Sequence, residues 1–95
     1  MMEMFYVYQK VGGKKVRHLV EGEERVIEGC KIRAYGGEER FWAIDADTGL
    51  AFGGVGDSIE DAFKQAEENI QKLIDFKKTG RYSELVEGFR RAPIG

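Results

Sequence analysis

The stretch that decides the fold is residues 56–76, GDSIEDAFKQAEENIQKLIDF. Its apolar side chains recur at intervals of three and four residues, which places them on one stripe of an α-helix. Ser58 or Asp57 can cap the first turn, and Glu60 follows Asp57 at the spacing of a capping box. The stretch therefore predicts a helix over Ser58–Phe76. The predicted stripe comprises Ile59, Ala62, Phe63, Ala66, Ile70, Leu73 and Ile74, of which Phe63, Ile70 and Leu73 should be buried while Glu67, Glu68 and Lys72 are exposed.

The residues before this helix have the pattern of short strands joined by tight turns. Ten of the thirteen glycines lie in residues 1–56, and two Gly-Gly pairs separate runs rich in β-branched and aromatic residues. We expect turns at Gly12-Gly13, at the charged Glu21–Glu24 and at Gly36-Gly37. The predicted strands are Met4–Val11, Lys14–Val20, Arg25–Tyr35 and Arg40–Asp47, with Leu50–Phe52 extending the last strand or beginning a short fifth.

Together these elements predict one α+β domain over residues 1–95. It has a four-stranded antiparallel meander within about 4–56, and helices within about 58–91: the long amphipathic helix packed on one face, and a shorter one over Ser83–Arg91 that Pro93 ends. An amphipathic helix must cover an apolar sheet face, and alternation assigns the side chains of each strand to its two faces. We expect the covered face to carry Val16, Val20, Val26, Cys30, Ile32, Trp42 and Ile44.

The composition excludes several classes of protein. Fifteen basic and seventeen acidic residues among 95 leave a net charge of −2, which argues against a DNA-packing protein or a polybasic membrane binder. One cysteine and one histidine exclude an internal disulfide and a Cys/His zinc site. The apolar runs are shorter than the roughly 18 residues that span a bilayer, and the first residues lack the order of a signal peptide. We expect a cytoplasmic protein without a cofactor or a membrane partner.

Few residues point to catalysis. His18 has no nucleophile placed beside it by a recognisable motif, and Cys30 alternates with charged residues as a small core residue would. Asp45 and Asp47 are weak candidates for a metal site, because carboxylates two apart on a strand point the same way and could share Mg²⁺. The alternative is that Asp47 belongs to a turn. The run Gly53–Gly56 could cradle a phosphate at the helix N-terminus, although a tight strand-to-helix turn explains it better.

The uncovered sheet face is the more informative feature. Rings that interleave with basic side chains suit a protein interface, single-stranded nucleic acid, or a solvated face without a specific role. The near-neutral net charge favours a protein partner. The predicted binding residues are Lys15, Arg17, Lys31, Arg33, Tyr35 and Phe41, and the same face would show Asp45 and Asp47, with Tyr6, Tyr8 and Lys10 if the first strand packs Phe5 inward.

Residues 41–70, FWAIDADTGLAFGGVGDSIEDAFKQAEENI, resemble the HicB-like antitoxin domain. That family runs from a strand with aromatic and Asp residues to a Gly-Asp-Thr/Ser-x-Glu-Glu-Ala helix start, which Gly56–Ala62 match closely. The resemblance implies a partial ribonuclease H-like core. It also implies a protein that binds and blocks a partner, typically a small RNA-cleaving toxin.

We therefore expect a non-catalytic module that binds and inhibits a protein partner. The alternatives are an RNA- or single-stranded-DNA-binding domain, an inhibitor of another machine, and a metal-dependent ribonuclease H-like enzyme acting through Asp45 and Asp47. The exposed sheet edge and the aromatic-rich uncovered face also predict a homodimer through one or the other.

Overall fold

The computed structural model describes residues 2–95, and at residues 52–54 it describes the backbone alone. In this part of the chain five strands are followed by two helices. The strands form one antiparallel sheet in sequence order, which confirms the α+β class. They are β1 (Glu3–Val11), β2 (Lys14–Ile27), β3 (Cys30–Gly36), β4 (Phe41–Asp45) and β5 (Ala51–Gly56), and the helices are α1 (Ile59–Lys77) and α2 (Gly80–Arg91).

The helix predicted from residues 56–76 is confirmed. The backbone N–H of Asp61 donates to the side-chain oxygen of Ser58 at 3.1 Å, so Ser58 rather than Asp57 is the cap. Phe63, Ile70 and Leu73 are buried, and the outward-facing Glu67, Glu68 and Lys72 are exposed.

The strand predicted over Arg25–Tyr35 is wrong, because the chain reverses within it. Glu28 and Gly29 have φ angles of 51° and 79°, which is the left-handed conformation of a two-residue hairpin turn. The predicted turn at Glu21–Glu24 is wrong as well, since β2 continues through it. Its charges are accommodated by ion pairs, including one of 2.9 Å between Glu24 and Arg33 of the neighbouring strand.

The glycine run before α1 belongs to a fifth strand and is not the tight turn that was predicted. β5 pairs with β4 through a register shift between Ala43 and Ile44. Backbone hydrogen bonds to β4 can form at glycine as at any other residue except proline, so the glycines do not exclude this strand. The preceding strand ends at Asp45, two residues earlier than predicted.

The face that α1 covers, hereafter the helix face, carries small side chains at its centre. Ala34 and Ala43 have no exposed area, and neither do Ala62 and Ala66 of α1. Small residues on both layers let the helix approach the sheet closely. The helix face of β3 and β4 comprises Cys30, Ile32, Ala34, Phe41, Ala43 and Asp45.

The opposite face, hereafter the open face, carries Lys31, Arg33, Tyr35, Trp42 and Ile44 on β3 and β4. The prediction of the covered face is therefore right for Cys30 and Ile32 and wrong for the larger apolar residues of β4. The valines predicted with them also belong to the open face, because the turn at Glu28–Gly29 pairs Val26 with Lys31. These misplaced residues are Trp42, Ile44, Val16, Val20 and Val26.

The sheet curls toward its open face. Phe5 and Val7 of β1 form a second buried cluster with Ile44, although two strands lie between β1 and β4. The curl passes through Gly22, where β2 turns from pairing with β3 to pairing with β1. A Cβ at Gly22 would lie 2.0 Å from the backbone oxygen of Ala34, so only glycine permits this approach.

The second helix and the chain end fasten the β1–β2 hairpin to the rest of the domain. α2 begins at Gly80, three residues before the predicted start. The ring of Phe89 packs edge-on against Tyr8 of β1 at 4.8 Å between centroids. The backbone N–H of Arg17 donates to Pro93 O at 2.8 Å, and that of Gly95 donates to Arg17 O at 3.0 Å. Neither helix in the described chain is long and apolar enough to cross a membrane.

Candidate functional site

The six predicted binding residues do not share one surface. Lys31, Arg33 and Tyr35 lie together on the open face of β3. Lys15 and Arg17 point to the other side of the β1–β2 hairpin, since they alternate with residues of the open face. Phe41 packs against the core under α1. The prediction that all six residues share one aromatic and basic surface is therefore wrong, and only Lys31, Arg33 and Tyr35 lie together.

The two arginines of that set are held by internal contacts. Arg33 Nε donates to Glu24 Oε1 at 2.9 Å, and its guanidinium lies 5.2 Å from the ring centre of Phe5. Arg17 Nε donates to the backbone oxygen of Ala92 at 2.9 Å. Both side chains are half-buried. Their positive charges therefore serve the fold and are poorly placed for phosphates.

The open face contains a cleft of about 440 Å³ between the β1–β2 hairpin and the β3–β4 connection. Its lining is mixed, and the apolar and aromatic part comes from Val7, Val20, Tyr35 and Trp42. Polar groups stand among them, chiefly His18, Gln9 and Glu38. We call this feature the Trp42 cleft.

Trp42 is positioned by the glycine-containing turn that precedes it. The backbone N–H of Gly37 donates to Arg40 O at 2.7 Å and closes the turn. A Cβ at Gly37 would lie 3.0 Å from Trp42 Nε1, so the indole packs directly on this backbone. The indole is half-buried, and its N–H donates no hydrogen bond within the described residues. Trp42 thus offers an apolar surface and an indole N–H that no described residue accepts.

Tyr35 forms the neighbouring wall of the Trp42 cleft. Its ring meets Phe5 edge-on, with centroids 6.3 Å apart. Burial raises the pKa of its hydroxyl above the ordinary value, so the group is a neutral donor and acceptor at physiological pH. His18 of β2 is exposed at the rim of the cleft.

Asp45 and Asp47 are not arranged as a shared cation site. Asp45 is 1% exposed on the helix face, whereas the side chain of Asp47 is exposed in the turn after β4. Asp45 Oδ2 accepts hydrogen bonds from Tyr82 OH at 2.7 Å and Thr48 Oγ1 at 2.8 Å, and its Oδ1 is buried and has no hydrogen-bond partner among the described residues. Residues 2–95 contain no group of three or more potential ligands gathered for a metal ion. The contacts that Asp45 makes link α2 to the sheet.

Cys30 is buried in the core, as the alternation predicted, with Sγ 3.9 Å from the backbone oxygen of Glu28. The candidate residues that sequence reasoning missed are Trp42, His18 and Glu38. The sequence predicts the covered face for Trp42 because it alternates with Ile44 and Ala46 as an apolar set. The available signal was the Gly36-Gly37 pair five residues before Trp42, because a glycine without a side chain leaves room for the indole ring.

Comparisons of the chain with protein-family models, with curated proteins and with solved structures find no match.

Proposed function

We propose that this chain is a non-catalytic module that binds a protein partner through the Trp42 cleft. The observation that carries the proposal is a half-buried tryptophan beside a half-buried tyrosine in a concave part of a sheet face. Tryptophan and tyrosine are enriched among the residues that dominate binding energy in protein interfaces. Concave apolar clefts with a few polar groups are the usual form of a binding site.

Arg17 and Arg33 make contacts within the domain, which favours a protein over a nucleic acid as the partner. A strand of RNA needs several free cations along one surface. Here Arg33 is paired with Glu24, and Arg17 faces the other side of the hairpin. Because residues 41–70 resemble the HicB-like antitoxin domain, a small RNA-cleaving toxin is the first partner protein to test.

The test is affinity capture from native lysate, with and without nuclease, by the parent chain and two variants. Trp42→Ala removes the main surface of the cleft. Leu19→Ala is the matched control, because Leu19 is 45% exposed on the other side of the hairpin. Circular dichroism establishes that each variant is folded.

We expect one stoichiometric protein that survives nuclease, is retained by Leu19→Ala and is lost with Trp42→Ala. Recovery of RNA alone, lost when Arg17, Lys31 and Arg33 are neutralised, would refute the proposal. Equal capture by the two variants would refute the assignment of the cleft.

We also propose that the chain forms a homodimer through a sheet edge. Within residues 2–95 the structure pairs β1 with β2 alone, so among these residues its other edge presents unpaired backbone groups that a second copy can satisfy. Sedimentation at high micromolar concentration should show a dimer, and a monomer there would remove the proposal.

A further inference from the structure

The Trp42 cleft continues into two further depressions around the end of the sheet. The first, of about 510 Å³, shares Glu38 and Trp42 with the cleft and adds Glu39 and Arg40. The second, of about 480 Å³, shares Arg40 and reaches Val55 and the first turns of α1. The first depression shares two residues with the cleft and the second shares Arg40 with the first, so the three lie in succession around this end of the sheet; together we call them the Trp42 groove.

The charges along this groove are unbalanced. Two cations, Arg40 and Lys64, stand among the lining residues. Against them stand five carboxylates, so the groove has three negative charges in excess while the whole chain has a net charge of −2. The negative charge of the protein is therefore concentrated here. The five carboxylates are Glu38, Glu39, Asp57, Asp61 and Glu68.

We infer that the Trp42 groove takes a basic, extended segment of the partner protein. This inference rests on the proposed function and names the chemistry of the partner. An arginine side chain seated in the cleft can stack its guanidinium on the indole of Trp42. The same group can pair with the carboxylate of Glu38, which lines both the cleft and the adjoining depression. Further basic residues of the segment meet the carboxylates toward α1.

Charge complementarity favours a basic protein segment over RNA or a lipid surface as the ligand of this groove. An acidic groove repels phosphates, so RNA and anionic lipid surfaces are poor ligands for it. It attracts a basic segment from a distance and disfavours wrong partners by like-charge repulsion. The rings of Trp42 and Tyr35 add apolar contact to the attraction between charges.

The test uses a synthetic peptide of alternating glycine and arginine, read by the fluorescence of Trp42, the only tryptophan of the chain. The matched peptide replaces each arginine by citrulline, which keeps the shape and removes the charge. The double variant Glu38→Gln/Glu39→Gln is compared with Glu67→Gln/Glu84→Gln, which changes the net charge equally at exposed positions outside the groove.

We expect the arginine peptide to change the emission of Trp42 and the citrulline peptide to bind at least about tenfold more weakly. The groove variant should weaken binding of the arginine peptide about three- to fivefold and the control variant less than about twofold. Equal binding of the two peptides, equal losses in the two variants, or tighter binding of an oligouridylate would overturn the inference. If the arginine peptide fails to bind while Trp42→Ala still abolishes capture of the protein partner, this inference falls and the proposed function stands.

Discussion

Replacing Tyr82 by Phe tests how α2 is joined to the sheet. The substitution removes the hydroxyl that donates to Asp45 Oδ2 at 2.7 Å and leaves the ring in place against Phe76. Asp45 is 1% exposed and its Oδ1 has no partner in the described part of the chain, so within that part the carboxylate would depend on Thr48 alone for side-chain hydrogen bonds. A hydrogen bond to a charged acceptor contributes roughly 1.5–3 kcal/mol. We expect the free energy of unfolding to fall by about 2 kcal/mol and Tm by about 8–16 °C.

The assay is urea unfolding followed by the fluorescence of Trp42, at pH 8 and at several values above pH 10. Burial first, and then the hydrogen bond to Asp45, raises the pKa of Tyr82 well above its ordinary value. In the unfolded chain the Tyr82 hydroxyl ionises near pH 10, whereas in the folded chain it stays neutral there. The contribution of this hydroxyl to the free energy of unfolding is therefore complete below about pH 10 and is lost as the pH rises further. The difference between the parent chain and Tyr82→Phe should therefore narrow above pH 10.

Tyr6→Phe is the matched control, because the Tyr6 hydroxyl makes no hydrogen bond within the described residues. It should be nearly neutral at pH 8. Unchanged stability of Tyr82→Phe at pH 8, or a difference that widens above pH 10, would refute the role given to the Tyr82–Asp45 contact.

Two further substitutions test the two cores of the domain by the same urea assay. Phe63→Ala empties a position that is 2% exposed under α1 and should cost about 3–5 kcal/mol. Phe63→Leu should cost clearly less, and a cost below about 1 kcal/mol for the alanine variant would contradict the packing of α1. Gly22→Ala places a Cβ 2.0 Å from the backbone oxygen of Ala34 and should cost at least about 1–3 kcal/mol. A neutral result at Gly22 would mean that β2 does not pass so close to β3.

The long helix was predictable because its signals are local. A cap at Ser58 and an apolar stripe with helical spacing lie within 21 residues, and no distant contact is needed to interpret them. The turn at Glu28–Gly29 was missed because a two-residue turn with one glycine hardly interrupts the alternation around it. Because the turn was missed, Val26 was predicted on the covered face with Cys30, whereas it pairs with Lys31 on the open face. A change of one position in register moves every side chain of a strand to the other face.

The candidate site was harder to predict because it depends on tertiary contacts. Apolar alternation with Ala46 favoured Trp42 and Ile44 for the covered face, but the close approach of α1 selects Ala43 there. The larger side chains are free to line a second core and a cleft only because the sheet curls. That curl depends on contacts between β1 and β4, which lie far apart in the sequence.

We propose above that the Trp42 cleft binds the partner protein. The most direct test is a chemical-shift map of the ¹⁵N-labelled chain, titrated with the protein recovered by affinity capture. The account predicts that the indole N–H of Trp42 and the backbone amides of Tyr35 and Glu38 shift or broaden most, while the outer face of α1 at Glu67 is unaffected. Unchanged Trp42 and Tyr35 signals in a saturated complex, with the largest shifts on α1, would contradict it.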